Sequence, residues 1–220
     1  MNILFVSPHP DDETLGCGGT ILKYKEEGHK IYWLNFTNVK QQYGFSREKV
    51  EKKNSEINEV SRLYNFDKFY NLELEPTNLG RYEKSYLIKE VSNIINQVQP
   101  NIIFLPFRND VHSDHKAVFD IVFACTKSFR YPFVKKVYAM EIISETDFAN
   151  SANGFIPNYF IDISRYLDKK IEIMKVYESE LGNPPFPRSI ENIKAIATFR
   201  GATAGVNFAE AFILIKGVEH

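Results

Sequence analysis

The 220-residue sequence lacks features that would place it in several large classes of protein. It has only two cysteines, Cys17 and Cys125, so nothing indicates a disulfide framework and a reducing compartment fits better. No apolar run approaches the roughly 20 residues that a membrane-spanning helix needs. The N-terminus has neither a basic start nor a long apolar segment, which argues against a signal peptide. We therefore expect a soluble cytoplasmic protein.

An excess of charge of one sign is also missing. The chain has 27 basic and 28 acidic residues, so its net charge of −1 provides no electrostatic argument for nucleic-acid binding. It has no internal repeat and no linker long enough to divide it, and we expect one domain over residues 1–220. Phe (18) and Tyr (12) are abundant; most should fill the core, while an aromatic-rich surface would allow homo-oligomers.

Apolar runs alternate with helical patterns along the whole chain. Predicted strands cover 2–7, 30–37, 68–72, 101–105, 136–143, 159–163 and 208–215. Predicted helices cover 14–27, 47–64, 82–98, 117–128, 164–181 and 189–201. Strands joined through a helix form right-handed βαβ units with parallel pairing. The sequence predicts an α/β fold with one doubly wound, mostly parallel, Rossmann-like sheet, with helices on both faces and a site at the carboxyl ends of the strands.

A polar cluster follows the first predicted strand directly. The apolar run Ile3-Leu4-Phe5-Val6 is followed by Ser7-Pro8-His9-Pro10-Asp11-Asp12-Glu13. Four ionisable side chains at the end of a buried strand are costly unless a metal ion or a substrate uses them. Glu13 is expected to cap the following helix or to hydrogen-bond the turn, because acidic residues favour helix N-termini.

A second cluster, His112-Ser113-Asp114-His115, lies just past the predicted strand 101–105, at the same edge of the sheet. His9 and Asp12 from the first cluster are therefore expected to converge with His112, Asp114 and His115. Imidazole and carboxylate ligands suit zinc, and iron would suit the same set. The sequence predicts one divalent ion per chain.

The chemistry of such a site needs further groups. A catalytic zinc typically has three protein ligands and lowers the pKa of a bound water to about 7. A carboxylate that does not bind the metal is then needed as the general base. Asp11 and Asp12 are neighbours whose side chains diverge, so one can bind the ion while the other faces the water. The residues alone do not decide which histidines bind the metal.

Both motifs resemble those of one known family. Pro8-His9-Pro10-Asp11-Asp12-Glu13, followed by Leu15-Gly16-Cys17-Gly18-Gly19-Thr20, is similar to the signature of the PIG-L/LmbE-like de-N-acetylases. His112-Ser113-Asp114-His115 resembles their second motif, and family-like segments continue through Pro187-Arg188-Ser189 to Ala209-Glu210-Ala211-Phe212. The similarity covers nearly the whole chain and is strongest in residues 2–38 and 100–120.

The resemblance implies zinc-dependent hydrolysis of an N-acyl group, usually acetyl on an amino sugar of the N-acetylglucosamine type. It implies that His9, Asp12 and His115 bind the zinc and that Asp11 is the general base. His112 would then stabilise the oxyanion or protonate the leaving amine, with Asp114 holding its imidazole. The implied partner is a small-molecule N-acetyl sugar or sugar conjugate.

The residues that would bind this sugar are less well defined. Family members usually carry an Arg early in the second helix, where this chain has Lys53, which lacks the planar fork of a guanidinium. Arg47 and Arg62 are near in sequence and could substitute. Arg188 and Arg200 could bind anionic groups of a substrate or pair with carboxylates of the scaffold. The loops at 38–46, 73–81, 106–113 and 144–158 are expected to line the pocket.

Two other functions fit the same sequence. The first is a metal-dependent hydrolase of a different bond, such as a phosphoester, which would favour two metal ions about 3.5–4 Å apart. The second is a metal-free nucleotide-binding module on the same scaffold, which would contain no stoichiometric zinc. The segment Gly16-Cys17-Gly18-Gly19 lacks the spacing of nucleotide-binding loops and is weak support for the second function.

Overall fold

Side chains of the central strands alternate between two apolar layers. In β1 (Asn2–Ser7), Ile3 and Phe5 are buried in one layer, and Leu4 and Val6 are buried in the other. This alternation follows from the two-residue period of a strand. A strand buried on both faces is a continuous apolar run in the sequence, and that run is what allowed β1 to be predicted.

The computed structural model describes residues 1–219. The strands after β1 are β2 (Lys30–Thr37), β3 (Lys68–Leu74), β4 (Ile102–Leu105), β5 (Lys136–Met140), β6 (Tyr159–Asp162) and β7 (Ala209–Gly217). The α-helices are α1 (Asp12–Glu26), α2 (Arg47–Tyr64), α3 (Lys84–Val98), α4 (Ser113–Ala124), α5 (Leu167–Met174) and α6 (Ile190–Ala204). Within residues 1–219, no helix is both long enough and apolar enough to span a bilayer.

The strands form one sheet in the order β3-β2-β1-β4-β5-β7-β6. The first five of these are parallel, and β7 runs antiparallel to both of its neighbours. The predicted α/β class with a mostly parallel sheet is confirmed. The strand order reverses between β1 and β4, and ligands of open α/β sheets bind outside the carboxyl ends of the strands at such a switch point. Both polar clusters of the sequence follow these two strands.

Helices cover both faces of the sheet. One apolar layer joins the sheet to α1, α5, α6 and the end of α2, and the other joins it to α3 and α4. On the first face, α1 approaches its neighbours closely because it contains glycines. A Cβ atom on Gly19 would lie only 2.6 Å from the Ile163 side chain, so this position requires glycine.

A buried ion pair, Lys170–Glu210, lies against the middle of α1. Lys170 Nζ is 2.7 Å from Glu210 Oε1 and also donates to the carbonyl oxygen of Leu15, at 2.7 Å. The Glu210 carboxylate accepts the backbone N–H groups of Gly19 and Thr20, at 2.9 and 2.8 Å, and the Thr20 hydroxyl. Both charges are therefore paired and hydrogen-bonded, as buried charges must be.

Two helix boundaries differ from the prediction in ways that affect the site. The helix predicted over 117–128 begins at Ser113, because His112 caps it: His112 Nδ1 accepts the backbone N–H of Asp114 at 3.1 Å. Asp114 and His115 therefore lie in the first turn of α4 and not in the preceding loop. The helix predicted over 14–27 likewise begins earlier, at Asp12.

The helix predicted over 164–181 is shorter and covers only Leu167–Met174. Ser164 does not cap it, because the Ser164 hydroxyl donates to Asp162 Oδ1 at 2.6 Å and accepts from Phe208 N at 3.1 Å. These bonds tie Ser164 to the edge of the sheet. After α5 the chain turns so that the Tyr177 side chain is buried against α1.

Candidate metal centre

The turn between β1 and α1 places Asp11 in an unusual conformation. Asp11 has φ 137° and ψ −31°, a region that L-residues rarely adopt. Its backbone N–H donates to Glu13 Oε2 at 3.1 Å, and its carbonyl accepts from Thr14 and Leu15 at 3.0 and 2.9 Å. A residue in such a region costs about 1–3 kcal/mol, so the surrounding bonds must hold it there.

Glu13 is the group that holds the turn. Its buried carboxylate accepts from the Thr14 hydroxyl at 2.7 Å and from the Tyr177 hydroxyl at 3.0 Å, in addition to Asp11 N. Burial raises the pKa of Glu13 to about 7, while these three hydrogen bonds act in the opposite direction. The prediction that Glu13 hydrogen-bonds the turn is confirmed.

His9, Asp12 and His115 form a group with the geometry of a metal site. Asp12 Oδ2 is 3.4 Å from His9 Nδ1 and 3.3 Å from His115 Nε2. Ligand atoms of a tetrahedral zinc, each 2.0–2.2 Å from the ion, lie about 3.3–3.5 Å from one another. His115 is fully buried, yet its Nε2 has no hydrogen-bond partner among residues 1–219. A buried ring nitrogen left without a partner and directed at a carboxylate fits a metal ion.

Each of the two histidines has a carboxylate on its other ring nitrogen. Asp110 Oδ2 is 2.8 Å from His115 Nδ1, and Asp114 Oδ2 is 3.2 Å from His9 Nε2. Asp110 is itself fixed by the Thr146 hydroxyl, which donates to its Oδ1 at 2.7 Å. Carboxylates in this position set the ring orientation and the tautomer of metal-binding histidines.

This arrangement corrects the role predicted for Asp114. Its carboxylate contacts His9 and not His112, and it accepts the backbone N–H groups of Thr77 and Leu79 at 2.6 and 3.2 Å. His112 uses Nδ1 to accept the backbone N–H of Asp114 at the start of α4, which leaves the carboxylate free to turn toward His9.

A second group of possible ligands shares His9 and adds His112 and Asp114. In this second group both Asp114 oxygens accept backbone N–H groups and His112 Nδ1 accepts another, so only Nε2 of His112 is left as a ligand atom of that ring. The two groups share His9, and we take the group with His115 as the candidate metal site because its buried Nε2 has no hydrogen-bond partner among residues 1–219.

The charges of this group depend on one another. Burial opposes ionisation of Asp12, but the His115 and His9 imidazoles outweigh burial and hold the pKa of Asp12 well below its usual range. Burial also opposes protonation of the histidines. Asp114 and Asp12 nevertheless raise the pKa of His9 to about 9, and Asp12 and Asp110 raise the pKa of His115 to about 10. The carboxylates around His9 and His115 therefore favour a positive charge at both imidazoles.

His112 differs from the other two histidines. Burial, together with the nearby charges of His9 and His115, lowers the pKa of His112 to about 4. Since Nδ1 accepts a backbone N–H, the proton of the neutral ring must lie on Nε2. His112 thus offers a neutral N–H donor at the cleft.

Asp11 contacts a cation from the other end of the chain. Arg188 Nη1 is 2.9 Å from Asp11 Oδ2 and 3.5 Å from Glu180 Oε2. Burial, and then the negative charges of Asp12 and Glu180, raise the pKa of Asp11 well above its usual range, and Arg188 acts against them. A carboxyl group with a raised pKa is suited to accept a proton near neutral pH.

A cleft of about 240 Å³ opens onto the metal centre. Each of the four loops that were predicted to line the pocket contributes to it. The lining residues are His9, Pro10, Asp11, Asp12, Thr37, Asn38, Val39, Lys53, Pro76, Thr77, His112, Glu145, Glu180 and Arg188.

Of the five basic residues considered for sugar binding, Lys53 and Arg188 lie in the cleft, whereas Arg47, Arg62 and Arg200 do not. Lys53 lines it, and its Nζ is 2.9 Å from both Glu56 Oε2 and Glu180 Oε1. Arg47 points into solvent with a side chain 80% exposed and pairs with Glu51 one turn further along α2.

Arg200 pairs with Glu141 and lines a separate cavity of about 20 Å³. The structure therefore corrects the predictions for Arg47 and Arg200, since each is held by a carboxylate outside the cleft. Arg188, a candidate on the same grounds as Arg200, is the arginine that lines the cleft.

Sequence reasoning missed Asp110, Asn38 and Glu145. Asp110 is a loop residue five positions before a predicted ligand, and only the folded chain shows that it meets the His115 ring. Asn38 and Glu145 lay within predicted pocket loops, but nothing in the sequence distinguished them from neighbouring polar residues.

Known proteins resemble this chain over its whole length. Residues 4–126, more than half of the chain, match the family model PIG-L, described as GlcNAc-PI de-N-acetylase. Diacetylchitobiose deacetylase of Thermococcus kodakarensis is 25% identical over 234 residues, which cover 98% of this chain and 84% of that protein.

Solved structures share the fold. The conserved protein TT1542 from Thermus thermophilus superposes with a TM-score of 0.79 at 25% identity, covering 100% of this chain and 97% of that one. GalB of Pseudomonas putida, a 4-carboxy-2-hydroxymuconate hydratase, superposes with a TM-score of 0.76 at 15% identity, covering 100% and 98%. A hydratase on this scaffold shows that the fold alone does not decide the reaction.

Proposed function

The chain belongs to the PIG-L family, and on that basis we propose that it is a metal-dependent hydrolase that removes an N-acetyl group from an amino sugar of the N-acetylglucosamine type. The observation that carries the proposal is the Nε2 of buried His115, which has no hydrogen-bond partner within the described residues 1–219 and lies beside Asp12 and His9, with Asp11 next to them. These atoms offer one metal site and one carboxylate that remains outside it.

We take His9, Asp12 and His115 as the metal ligands and zinc as the ion, with iron compatible with the same set. When bound, such an ion supplies Lewis-acid chemistry: it lowers the pKa of water and polarises a carbonyl group. Asp110 and Asp114 hold the two imidazoles in the tautomers that leave His115 Nε2 and His9 Nδ1 for the ion.

Asp11 is the general base of this proposal. Its carboxylate accepts the proton of the attacking water, and Arg188 orients it through Oδ2. The strained turn places Asp11 beside Asp12 without making it a ligand. The proton that Asp11 takes up can then pass to the departing amine.

His112 stabilises the negative charge that develops on the amide oxygen. Its neutral ring carries the proton on Nε2, because Nδ1 accepts a backbone N–H, so the ring can donate a hydrogen bond to that oxygen. A donor fixed in place before the reaction costs no reorganisation in the transition state.

The size and charge of the cleft support a sugar substrate. Its volume of about 240 Å³ is below the range of roughly 300–1,000 Å³ that holds drug-sized ligands, which suits a single sugar ring bound at the metal. Lys53 occupies the position of the family's arginine, but Glu56 and Glu180 already neutralise its charge.

Acetate release from a panel of N-acetyl sugars by the metal-loaded protein, with elemental analysis of the same sample, tests this function. We expect acetate from at least one sugar, together with one equivalent of metal per chain. Asp11→Asn should lower kcat by about 100- to 10,000-fold, the range for a lost general base, while metal content stays at the wild-type level. Loss of metal from this variant would show that Asp11 is a ligand and not the base.

The same measurements separate the alternatives. A phosphoesterase with two ions would give two equivalents of metal, although the two ligand groups of the described residues share His9. A metal-free module would give none.

A further inference from the structure

Two residues that line the cleft carry hydrogen-bond acceptors without a protein donor. Asn38 is only 2% exposed, and its Oδ1 has no hydrogen-bond partner among residues 1–219. Glu145 Oε2 is also buried and without a partner in the same part of the chain. Buried acceptors are nearly always paired in folded proteins. Since both residues line the cleft, their free acceptors point to a ligand.

The Asn38 side chain is fixed by the elements around it. Its backbone N–H donates to the carbonyl of Leu74 at 3.0 Å, which ties the end of β2 to β3. Its Nδ2 donates to Asn54 Oδ1 at 2.9 Å, so α2 holds the side chain by its donor end. The acceptor end is therefore left for a molecule in the cleft.

Glu145 lies on a braced loop that follows β5. Its backbone N–H donates to Ile142 O and its carbonyl accepts from Val111 N, each at 3.1 Å. The preceding residue, Ser144, has φ 77°, a left-handed conformation that is unfavourable for serine. The next residue, Thr146, donates to Asp110, which orients the ligand His115. The loop thus connects Glu145 rigidly to the metal centre.

The two acceptors stand on opposite sides of the metal centre. Asn38 follows β2 and Glu145 follows β5, and β1 and β4 lie between those strands. Three strand spacings of about 4.8 Å separate the two walls by roughly 14 Å at the level of the sheet. The metal ligands follow β1 and β4, so a molecule bound across the centre would meet both walls.

We propose, on the basis of the deacetylase function above, that Asn38 and Glu145 are substrate-binding residues whose Oδ1 and Oε2 atoms accept hydrogen bonds from hydroxyl groups of the N-acetyl sugar. An acceptor selects a donor, and hydroxyl groups are the donors that a sugar presents. The negative charge of Glu145 also disfavours a phosphate at that end of the substrate. The substrate class is therefore an amino sugar with free hydroxyl groups on both sides of the acetamide.

Steady-state kinetics of Glu145→Ala and Asn38→Ala, in metal-loaded protein with N-acetylglucosamine as the probe, test the proposal. We expect KM to rise about 10- to 100-fold for Glu145→Ala and about 3- to 10-fold for Asn38→Ala, since a charged acceptor forms the stronger hydrogen bond. In both variants kcat should change by less than about threefold, and metal content should not change.

Asp147→Asn is the matched control. Asp147 is exposed on the same loop, and its Oδ1 accepts from Ser144 N at 2.6 Å, a bond that asparagine can keep. This variant removes one negative charge next to Glu145 and should leave KM and kcat unchanged. An equal rise of KM in Asp147→Asn and Glu145→Ala would overturn the proposal, because it would reflect the charge of the loop and not a contact.

Deoxy analogues of N-acetylglucosamine, lacking the hydroxyl at C1, C3, C4 or C6, identify the contact. For one analogue the rise of KM caused by Glu145→Ala should be less than about threefold, because that analogue already lacks the hydroxyl that donates to Glu145. A penalty of the same size for all four analogues would overturn the proposed contact.

The two proposals fail in different ways. If metal-loaded wild type releases no acetate from any N-acetyl sugar, the deacetylase function fails. Calorimetric binding of N-acetylglucosamine then decides the role of Glu145: weaker binding by Glu145→Ala supports it, and equal binding overturns it. If acetate is released and KM is the same in both variants as in wild type, the deacetylase function stands and this inference alone is wrong.

Discussion

Helix α1 lies against two buried charged clusters that differ in one respect. At its N-terminus is the candidate metal centre, where His115 Nε2 has no hydrogen-bond partner among residues 1–219 and Asp11 has a rarely adopted backbone conformation. At its middle is the pair Lys170–Glu210, in which the carboxylate accepts four hydrogen bonds and the ammonium also donates to a backbone carbonyl. Asp12 and His115 of the first cluster and both residues of the second are at most 5% exposed, while the His9 side chain, which lines the cleft, is 21% exposed.

The difference separates a functional site from a structural one. In the structural pair, protein groups satisfy both charges, so nothing is left for a ligand. At the candidate metal centre, burial and the charge of Asp12 raise the pKa of Asp11, and His115 Nε2 lacks a hydrogen-bond partner among residues 1–219. Groups with perturbed pKa values of this kind cluster at functional sites. Buried charge alone would have identified both clusters; the state of their hydrogen bonds distinguishes them.

The largest expected effect comes from removing the unpartnered nitrogen. We expect His115→Ala to lose its metal and to reduce deacetylase activity by at least about 1,000-fold, because two ligands do not hold the ion against exchange. Elemental analysis and acetate release measure the two effects. His112→Ala is the matched variant and should keep its metal, since His112 is not one of the three proposed ligands. Loss of metal from His112→Ala with retention in His115→Ala would reverse the choice between the two groups.

The second largest expected effect concerns the buried ion pair Lys170–Glu210. Glu210→Ala leaves the Lys170 ammonium buried without a carboxylate, and breaking such a pair costs about 3–5 kcal/mol. Urea denaturation should show this loss, while the metal content and kcat of the folded protein stay within about threefold of wild type. The double variant Lys170→Met/Glu210→Leu should recover much of the stability. A large fall in kcat without a loss of stability would mean that this cluster also serves the reaction.

The smallest effect concerns the carboxylates behind the ligands. Asp110→Asn keeps the shape of the side chain but weakens its bond to His115 Nδ1, and changes of this kind usually lower metal affinity about 10- to 100-fold. Competition with a chelator measures the affinity. Asp120→Asn, a partly exposed position on α4 whose carboxylate pairs with Lys84 and Arg108, is the control and should bind metal like wild type. Equal metal affinities in Asp110→Asn and Asp120→Asn would show that Asp110 does not support metal binding.

The sequence was enough to predict the sheet and the edge that carries the candidate site, because each rests on a local pattern. The choice of His9, Asp12 and His115 as ligands came from the resemblance to the family and stays a prediction. Ile3 to Val6 form a continuous apolar run, and both polar clusters directly follow strands that the sequence made clear. The predictions that failed depend on contacts between distant segments. The Asp114 carboxylate contacts His9 because the His112 ring caps the N-terminus of α4. Arg200 pairs with Glu141, which lies 59 residues away in the sequence.

The same limit applies to Asp110, Asn38 and Glu145. Their types are common in polar loops. Only the fold shows that Asp110 meets the His115 ring and that Asn38 Oδ1 and Glu145 Oε2 have no hydrogen-bond partner among the described residues. Lys53 was placed in the cleft from the sequence, but its two carboxylate partners come from α2 and from the segment after α5. A residue's position along the chain therefore predicted where it lies better than it predicted which residues it contacts.

The backbone angle of Asp11 has a consequence for engineering this protein. Glycine would adopt that angle without strain, so replacing the proposed base would relieve about 1–3 kcal/mol held in the turn. Catalysis therefore favours aspartate at position 11, whereas thermal stability favours glycine. A library of variants screened for thermal survival alone would enrich molecules that fold well and no longer work, and any such screen must select for turnover at the same time.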